Sequence, residues 1–231
     1  MPAEQKPTSA TKDLLQVCDL GLIDYCTALD IQTDLRDHRI TGGVPDTLLL
    51  LEHSPVITLG RSGNFDNILV SESDLSNRGI QLFHSNRGGD VTYHGPGQVV
   101  GYAIMDLARH GTDLRKHLWK LEEVLINALD SLGVAAARRD GETGVWVAQN
   151  KIASIGIHVK RWVTMHGFAL NVAPNFDHLA LINHCGITDA PMTSIQNVLA
   201  KPTPSRQVRQ ALIDSFSQIF NLTPIDSPSP L

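Results

Sequence analysis

The sequence has no long basic run: 24 aspartates and glutamates outnumber 19 lysines and arginines, for a formal net charge of −5. Nucleic-acid binding therefore has little electrostatic support, since a phosphate backbone calls for a clustered positive face. The same balance argues against a broad basic dock for an acidic carrier protein and leaves room only for a local patch. No window approaches eighteen uninterrupted apolar residues, so no membrane span is expected. Cysteine is scarce. Cys18, Cys26 and Cys185 leave one thiol over in any disulfide scheme and form no C-x-x-C pair, which points to a reducing compartment. The opening MPAEQKPTSATKD has neither the apolar centre of a signal peptide nor the arginine-rich pattern of a transit peptide, so a cytoplasmic protein is expected. A G-x-x-x-x-G-K-[ST] phosphate loop is missing. His178, His184 and Cys185 have no second cysteine or helical histidine pair at zinc spacing, so neither metal nor other cofactor is expected.

What is present suits one large globular domain: 231 residues, 42% hydrophobic and 19% charged. Residues 1–12 and 222–231, polar and proline-bearing, are expected to be flexible tails around a single domain spanning 13–221. Leu114, Leu118, Leu121, Leu125, Ala128 and Leu132 recur at helical spacing, with Thr112 or Asp113 as N-cap and Gly133 as the stop. A second helix begins near Pro204 with the stripe Val208, Leu212, Phe216 and Ile219, and a less regular one covers 22–38. Strands are expected at Thr47–Leu51, Pro55–Leu59, Ile80–His84, Gln98–Met105, Val145–Ala148, Ile152–Val159 and Phe168–Val172, with a hairpin turn at Gln149-Asn150. Strands and helices do not alternate in a βαβ rhythm. The reading is an α+β domain with helices packed on a mostly antiparallel or mixed sheet.

Three segments carry candidate chemistry. Arg87-Gly88-Gly89-Asp90-Val91-Thr92-Tyr93-His94-Gly95-Pro96-Gly97-Gln98 holds four glycines around an arginine, a tyrosine and a histidine. Such a run is either a tight connection between strands or a loop whose backbone approaches a ligand closely. Lys151 opens the strand KIASIGIHV in register with Ala153, Ile155, Ile157 and Val159. It either frays into water or lies buried, and a desolvated amine is a candidate base. Asn183-His184-Cys185-Gly186-Ile187 contains a free cysteine, which is either a small buried hydrophobe or a nucleophile. Cys18 and Cys26 read as structural.

The blocks RGGDVTYHGPGQ, GVWV, KIASIGIHV, HGFALNV, NHCGI and MTSI occur in that order between about Leu48 and Ile195. The ordered series resembles the lipoyl(octanoyl) transferase family, octanoyl-acyl carrier protein:protein transferases. The resemblance implies the fold shared with biotin and lipoate protein ligases, a mixed sheet with packed helices plus a small second sheet. It implies an acyltransferase that carries an octanoyl group as a Cys185 thioester, with Lys151 as acid–base partner, in the first step of endogenous protein lipoylation. Donor and acceptors would be octanoyl-acyl carrier protein and the lipoyl domains of 2-oxoacid dehydrogenase complexes and the glycine-cleavage H protein. Substrate contacts would come from Arg87, Gly88, Gly89, Asp90, Val91, Thr92, Tyr93 and His94, from Ser154, Ile155 and Gly156, and from Gly167, Phe168 and Ala169. His158 receives no role. Three alternatives remain on chemistry alone: an ATP-dependent lipoate–protein ligase, a cysteine thioesterase, and a non-catalytic binder of lipoyl domains.

Overall fold

The computed structural model describes residues 14–183 and 191–227. Eleven strands form among them: β1 Leu14–Ile23, β2 Asp46–His53, β3 Val56–Leu59, β4 Gln81–His84, β5 Val91–His94, β6 Gln98–Ile104, β7 Ala137–Arg139, β8 Glu142–Val147, β9 Asn150–Lys160, β10 Val163–Asn171 and β11 Thr223–Asp226. Eight build a mixed sheet in the order β11-β1-β2-β6-β10-β9-β8-β7, and three build a small second sheet, β4-β3-β5. The helices are α1 Tyr25–Ile40, α2 Glu72–Asn77, α3 Leu107–His110, α4 Leu114–Ser131, α5 Phe176–Leu179, α6 Ile195–Leu199 and α7 Ser205–Phe220. The α+β class with a second small sheet is as the sequence implied.

Helices cover both faces of the large sheet. Ala28 and Leu35 of α1 pack on Leu49, Leu51, Val100 and Tyr102. On the other face Leu121, Leu125 and Leu129 of α4 join Val208, Leu212 and Phe216 of α7 over Leu48, Leu50, Val99 and Phe168. Central strands buried on both sides lose the apolar–polar alternation, which is why β2 carries four successive leucines. A third cluster, with Ile57, Val91 and Tyr93, supports the small sheet. No described helix is long and apolar enough to cross a membrane.

The long helices follow their patterns. Asp113 caps α4 by accepting the Lys116 N–H, and Gly133 takes φ +83° just beyond its end. Pro204 is the N-cap of α7 rather than its first-turn residue, and Phe220 is more buried than the expected Ile219. Three expectations change. Thr223–Asp226, placed in a tail, pairs in parallel with β1 as an edge strand. β1 itself escaped detection because a register shift between Asp19 and Gly21 breaks its alternation. The β8–β9 turn is Ala148-Gln149, one residue early, with Val147 opposite Asn150; a register shift between Val145 and Trp146 moves it.

His117 on α4 is 3% exposed, and neither ring nitrogen has a hydrogen-bond partner among the described residues. Burial foremost, then His110 and Lys120, lowers its pKa to about 4. The folded state keeps this ring neutral, while an unfolded chain protonates it below about pH 6.5. Unfolded chains therefore bind more protons between the two values, and stability is lost as the pH falls through that window. His117→Leu should raise stability at pH 7 by about 1 kcal/mol and flatten the loss between pH 7 and 5. Urea unfolding at both pH values checks this; a lower midpoint at pH 7 would show that the ring's packing outweighs its unmet nitrogens.

Candidate active site

β9 and β10 are paired so that Gly156 stands opposite Gly167 and Ser154 opposite Ala169. Four small residues thus gather on neighbouring strands and leave a shallow trough in the sheet. The glycine-rich loop passes over it. Gly88 N–H donates to the Ile157 carbonyl at 2.8 Å, and a Cβ on Gly156 would meet the Gly88 carbonyl at the same distance. Only glycine at 156 permits that approach.

The loop is tied to the small sheet along its length. Gly60 N–H donates to the Asp90 carbonyl at 2.9 Å and Arg61 N–H to the Arg87 carbonyl at 2.9 Å. Arg87 donates from Nε to Thr58 Oγ1 at 3.0 Å and from Nη2 to the Thr58 carbonyl at 2.6 Å. The Asp90 carboxylate accepts from Asn64 N–H and from the Asn67 side chain. Arg87 and Asp90 therefore shape the loop as well as facing the space beneath it.

That space is a slot between loop and sheet, of about 520 Å³ counted with its opening to solvent. Every expected contact residue except Tyr93 lines it: Arg87 through Thr92, His94, Ser154, Ile155, Gly156, Gly167, Phe168 and Ala169. Tyr93 is a correction. Alternation along β5 turns it into the third core cluster, its hydroxyl 2.9 Å from His178 Nδ1, and burial raises its pKa to about 12.

Tyr25, Tyr102 and His166 also line the slot and were not anticipated. His166 heads the block HGFALNV, so a signal was present; Tyr25 and Tyr102 arrive from a helix start and a central strand with none. His166 has φ +60° inside a strand, a conformation that residues other than glycine rarely adopt, with its N–H donating to Gln32 Oε1 at 2.8 Å and Nε2 to Asn86 Oδ1 at 2.7 Å. Behind Tyr102 stands His53. Its Nδ1 donates to the Ile23 carbonyl at 3.0 Å, so Nε2 accepts from the Tyr102 hydroxyl at 2.7 Å. Burial is the largest cause of the lowered pKa at His53, about 4, and at His166, about 3. His94 is held well below the ordinary value by burial, then by His53 and Arg87. The histidines around the slot are uncharged at neutral pH.

Lys151 is buried, 2% exposed, and does not fray. Its N–H donates to the Pro191 carbonyl and its carbonyl accepts from Thr193 N–H, each at 2.9 Å. Its Nζ stands 5.3 Å from the centre of the Trp146 ring. Gly144 makes room for it, since a Cβ there would meet Lys151 Cε at 2.6 Å. Lys151 lies three residues before Ser154 on the same strand, outside the slot's lining. His184 and Cys185 lie outside the described residues. The described chain reaches Asn183, whose N–H donates to the Asn67 carbonyl at 2.8 Å, and resumes at Pro191 beside Lys151. His158 lies off the slot, its pKa lowered by burial and by Arg36, Arg61 and Lys160. Cys18 is buried in the core beneath α1 and Cys26 is exposed on that helix.

The sequence pattern of the family described as lipoyl protein ligase A/B catalytic domain matches residues 24–217. An octanoyltransferase of Desulforamulus reducens is 48% identical over 211 residues, covering 91% of this chain and 92% of its own. One from Alkaliphilus metalliredigens is 47% identical over 214 residues, covering 92% and 98%. The bipartite lipoate protein ligase of Thermoplasma acidophilum shares the fold, with a TM-score of 0.74 at 19% identity over 93% of this chain and 87% of that one. With the family pattern spanning most of the described residues and relatives 47–48% identical over 91–92% of the chain, the chain belongs to the lipoyl protein ligase A/B catalytic domain family and is an acyltransferase.

Proposed function

We propose that the protein transfers an octanoyl group from octanoyl-acyl carrier protein to a lysine of lipoyl domains, through a thioester on Cys185. The observation that carries this reading is the slot beneath the glycine-rich loop, floored by Ile155, Gly156, Gly167, Phe168 and Ala169, on the same strand as a buried lysine. The octanoyltransferase names of relatives near half identity support the acyl length and class. Each buried methylene contributes about 0.8 kcal/mol, so an eight-carbon chain gains several kcal/mol from such a slot.

In the first half-reaction the Cys185 thiolate attacks the donor's thioester carbonyl. The carbonyl–sulfur bond to pantetheine breaks, and Lys151 gives the departing thiolate its proton. In the second, the acceptor lysine's neutral amine attacks the acyl-enzyme, Lys151 takes one amine proton, and the Cys185 thiolate leaves. A free thiol ionises near pH 8.5, so a neighbouring ammonium favours the thiolate that the first step needs. Exchange between thioesters is nearly balanced and amide formation is downhill, so the cycle needs no ATP. Acceptors of this chemistry are the lipoyl domains of 2-oxoacid dehydrogenase complexes and the glycine-cleavage H protein, encountered in the cytoplasm.

Intact mass after incubation with octanoyl-acyl carrier protein tests the cycle. An octanoyl increment on Cys185 should appear, then move to an added apo lipoyl domain. Modification of that domain only with ATP and free octanoate would place the protein with the ligases instead. Cys185→Ala should give no adduct; one surviving elsewhere rejects this nucleophile. Lys151→Ala should slow both half-reactions by roughly 10²-fold or more, and near-normal rates would leave the lysine a structural role. Gly156→Ala should push the loop off the trough and raise KM for the donor roughly tenfold or more, with a stability loss of about 1–3 kcal/mol. An unchanged KM would mean that the acyl chain lies elsewhere.

A further inference from the structure

Lysine reaches its amine through a flexible four-carbon stem, so burial of Lys151 alone fixes neither the place of the amine nor its protonation state. Trp146 stands opposite Lys151 across the β8–β9 pair, and Nζ lies over its ring, 5.3 Å from the centre. The Arg139 guanidinium lies over the same ring at 4.8 Å. Arg139 comes from β7 and Lys151 from β9, the strands on either side of β8, so two cations flank one indole.

A buried tryptophan is ordinarily placed by the hydrogen bond of its N–H. Trp146 is 2% exposed, and its Nε1 has no partner among the described residues. The ring is therefore held by its faces rather than by its polar edge. Beneath the amine there is backbone instead of a side chain: Gly144 has φ +130°, and a Cβ there would stand 3.2 Å from Nζ. Gly144 is fixed in turn from α4, because its N–H donates to Glu122 Oε1 at 3.1 Å.

We propose that Trp146 is a positioning residue for Lys151: its indole face holds the ε-ammonium over the Gly144 backbone and favours the protonated amine. This deepens the transferase reading above, in which Lys151 first gives a proton and then takes one. Burial by itself favours the neutral amine, which has no proton to give a departing thiolate. A cation is attracted to the electron-rich face of an indole, more strongly where water is excluded. The ring thus offsets burial and lets the proton move in either direction. Among the described residues, the charged side chains brought toward this place are Glu122 from α4, Arg138 and Arg139 from β7 and Glu142 from β8. Arg138 holds Glu122 at 2.9 Å and Arg139 holds Glu142 at 3.4 Å. Residues 191–195, which pair with the Lys151 backbone, bring no charge.

Fluorinated tryptophans at position 146 weaken the ring's face while keeping its shape, so packing and neighbouring charges stay as they are. In the full chain carrying lysine labelled with carbon-13 at Cε, NMR reads the pH at which Lys151 loses its proton, with Lys151→Arg assigning the resonance. One, two and three fluorines should lower that pH stepwise, by about one unit in total. Trp146→Leu, which removes the face, should lower it at least as far, and the fluorinated series decides even where that variant does not fold. The alkaline limb of acylation by octanoyl-acyl carrier protein should move down in step, since acylation needs the protonated lysine. A midpoint that stays constant or rises through the fluorinated series would overturn the proposal and leave Trp146 to packing alone. A midpoint that falls, in a protein whose wild type takes no octanoyl group from the carrier, would uphold the ring's hold on the lysine and bring down the transferase reading instead.

Discussion

The slot depends on one close backbone approach, where the Gly88 amide meets the Ile157 carbonyl above Gly156. A strand buried on both faces ordinarily fills its surroundings with side chains, as β10 does over most of its length. Here the trough of Ser154, Gly156, Gly167 and Ala169 leaves the roof loop in contact with backbone, and a slot remains beside that contact. Gly60 under the loop has the same role from the other side, since a Cβ there would meet the Gly89 carbonyl. Loop and sheet are thus held apart by a distance set by peptide groups, which do not change rotamer. A slot bounded in this way keeps its width when it is empty.

Charge is arranged to the same end. The chain carries 43 formally charged side chains, but the rings near the slot, His53, His94 and His166, are kept neutral by burial. Each neutral ring has a determined donor edge because it faces a carbonyl or an oriented amide. Lys151 stands apart from these rings, between Trp146 and the space over Gly144, with its backbone paired to Pro191 and Thr193. The slot and the buried lysine therefore occupy neighbouring stretches of one strand.

Much of this was legible in the residues. The long amphipathic helices α4 and α7 announce themselves because one stripe packs and the rest faces water. Gly156 marks a close approach because a side chain would obstruct it, and Gly89 marks a turn because its φ is +87°. Tyr93 shows the limit of reading a contiguous block: neighbours in a motif alternate faces once the motif is a strand, so it belongs to the core while Thr92 and His94 face the slot. Tyr25 and Tyr102 could not be found because their position depends on how α1 and β6 cross the sheet, and β1 and β11 because an irregular or edge strand leaves little periodic signal.

The sequence by itself determined the family-bearing blocks, the helical stripes and the α+β class, since these are local patterns of residue type and spacing. Only the tertiary structure decided that Lys151 is buried rather than frayed, and that His94, Gln98, Asn171 and Thr193 form one chain of hydrogen bonds. It also decided which ring nitrogens donate. Those outcomes require partners up to about a hundred residues apart to meet, and a hydrogen bond exists only when donor and acceptor are brought within about 3 Å in the right orientation.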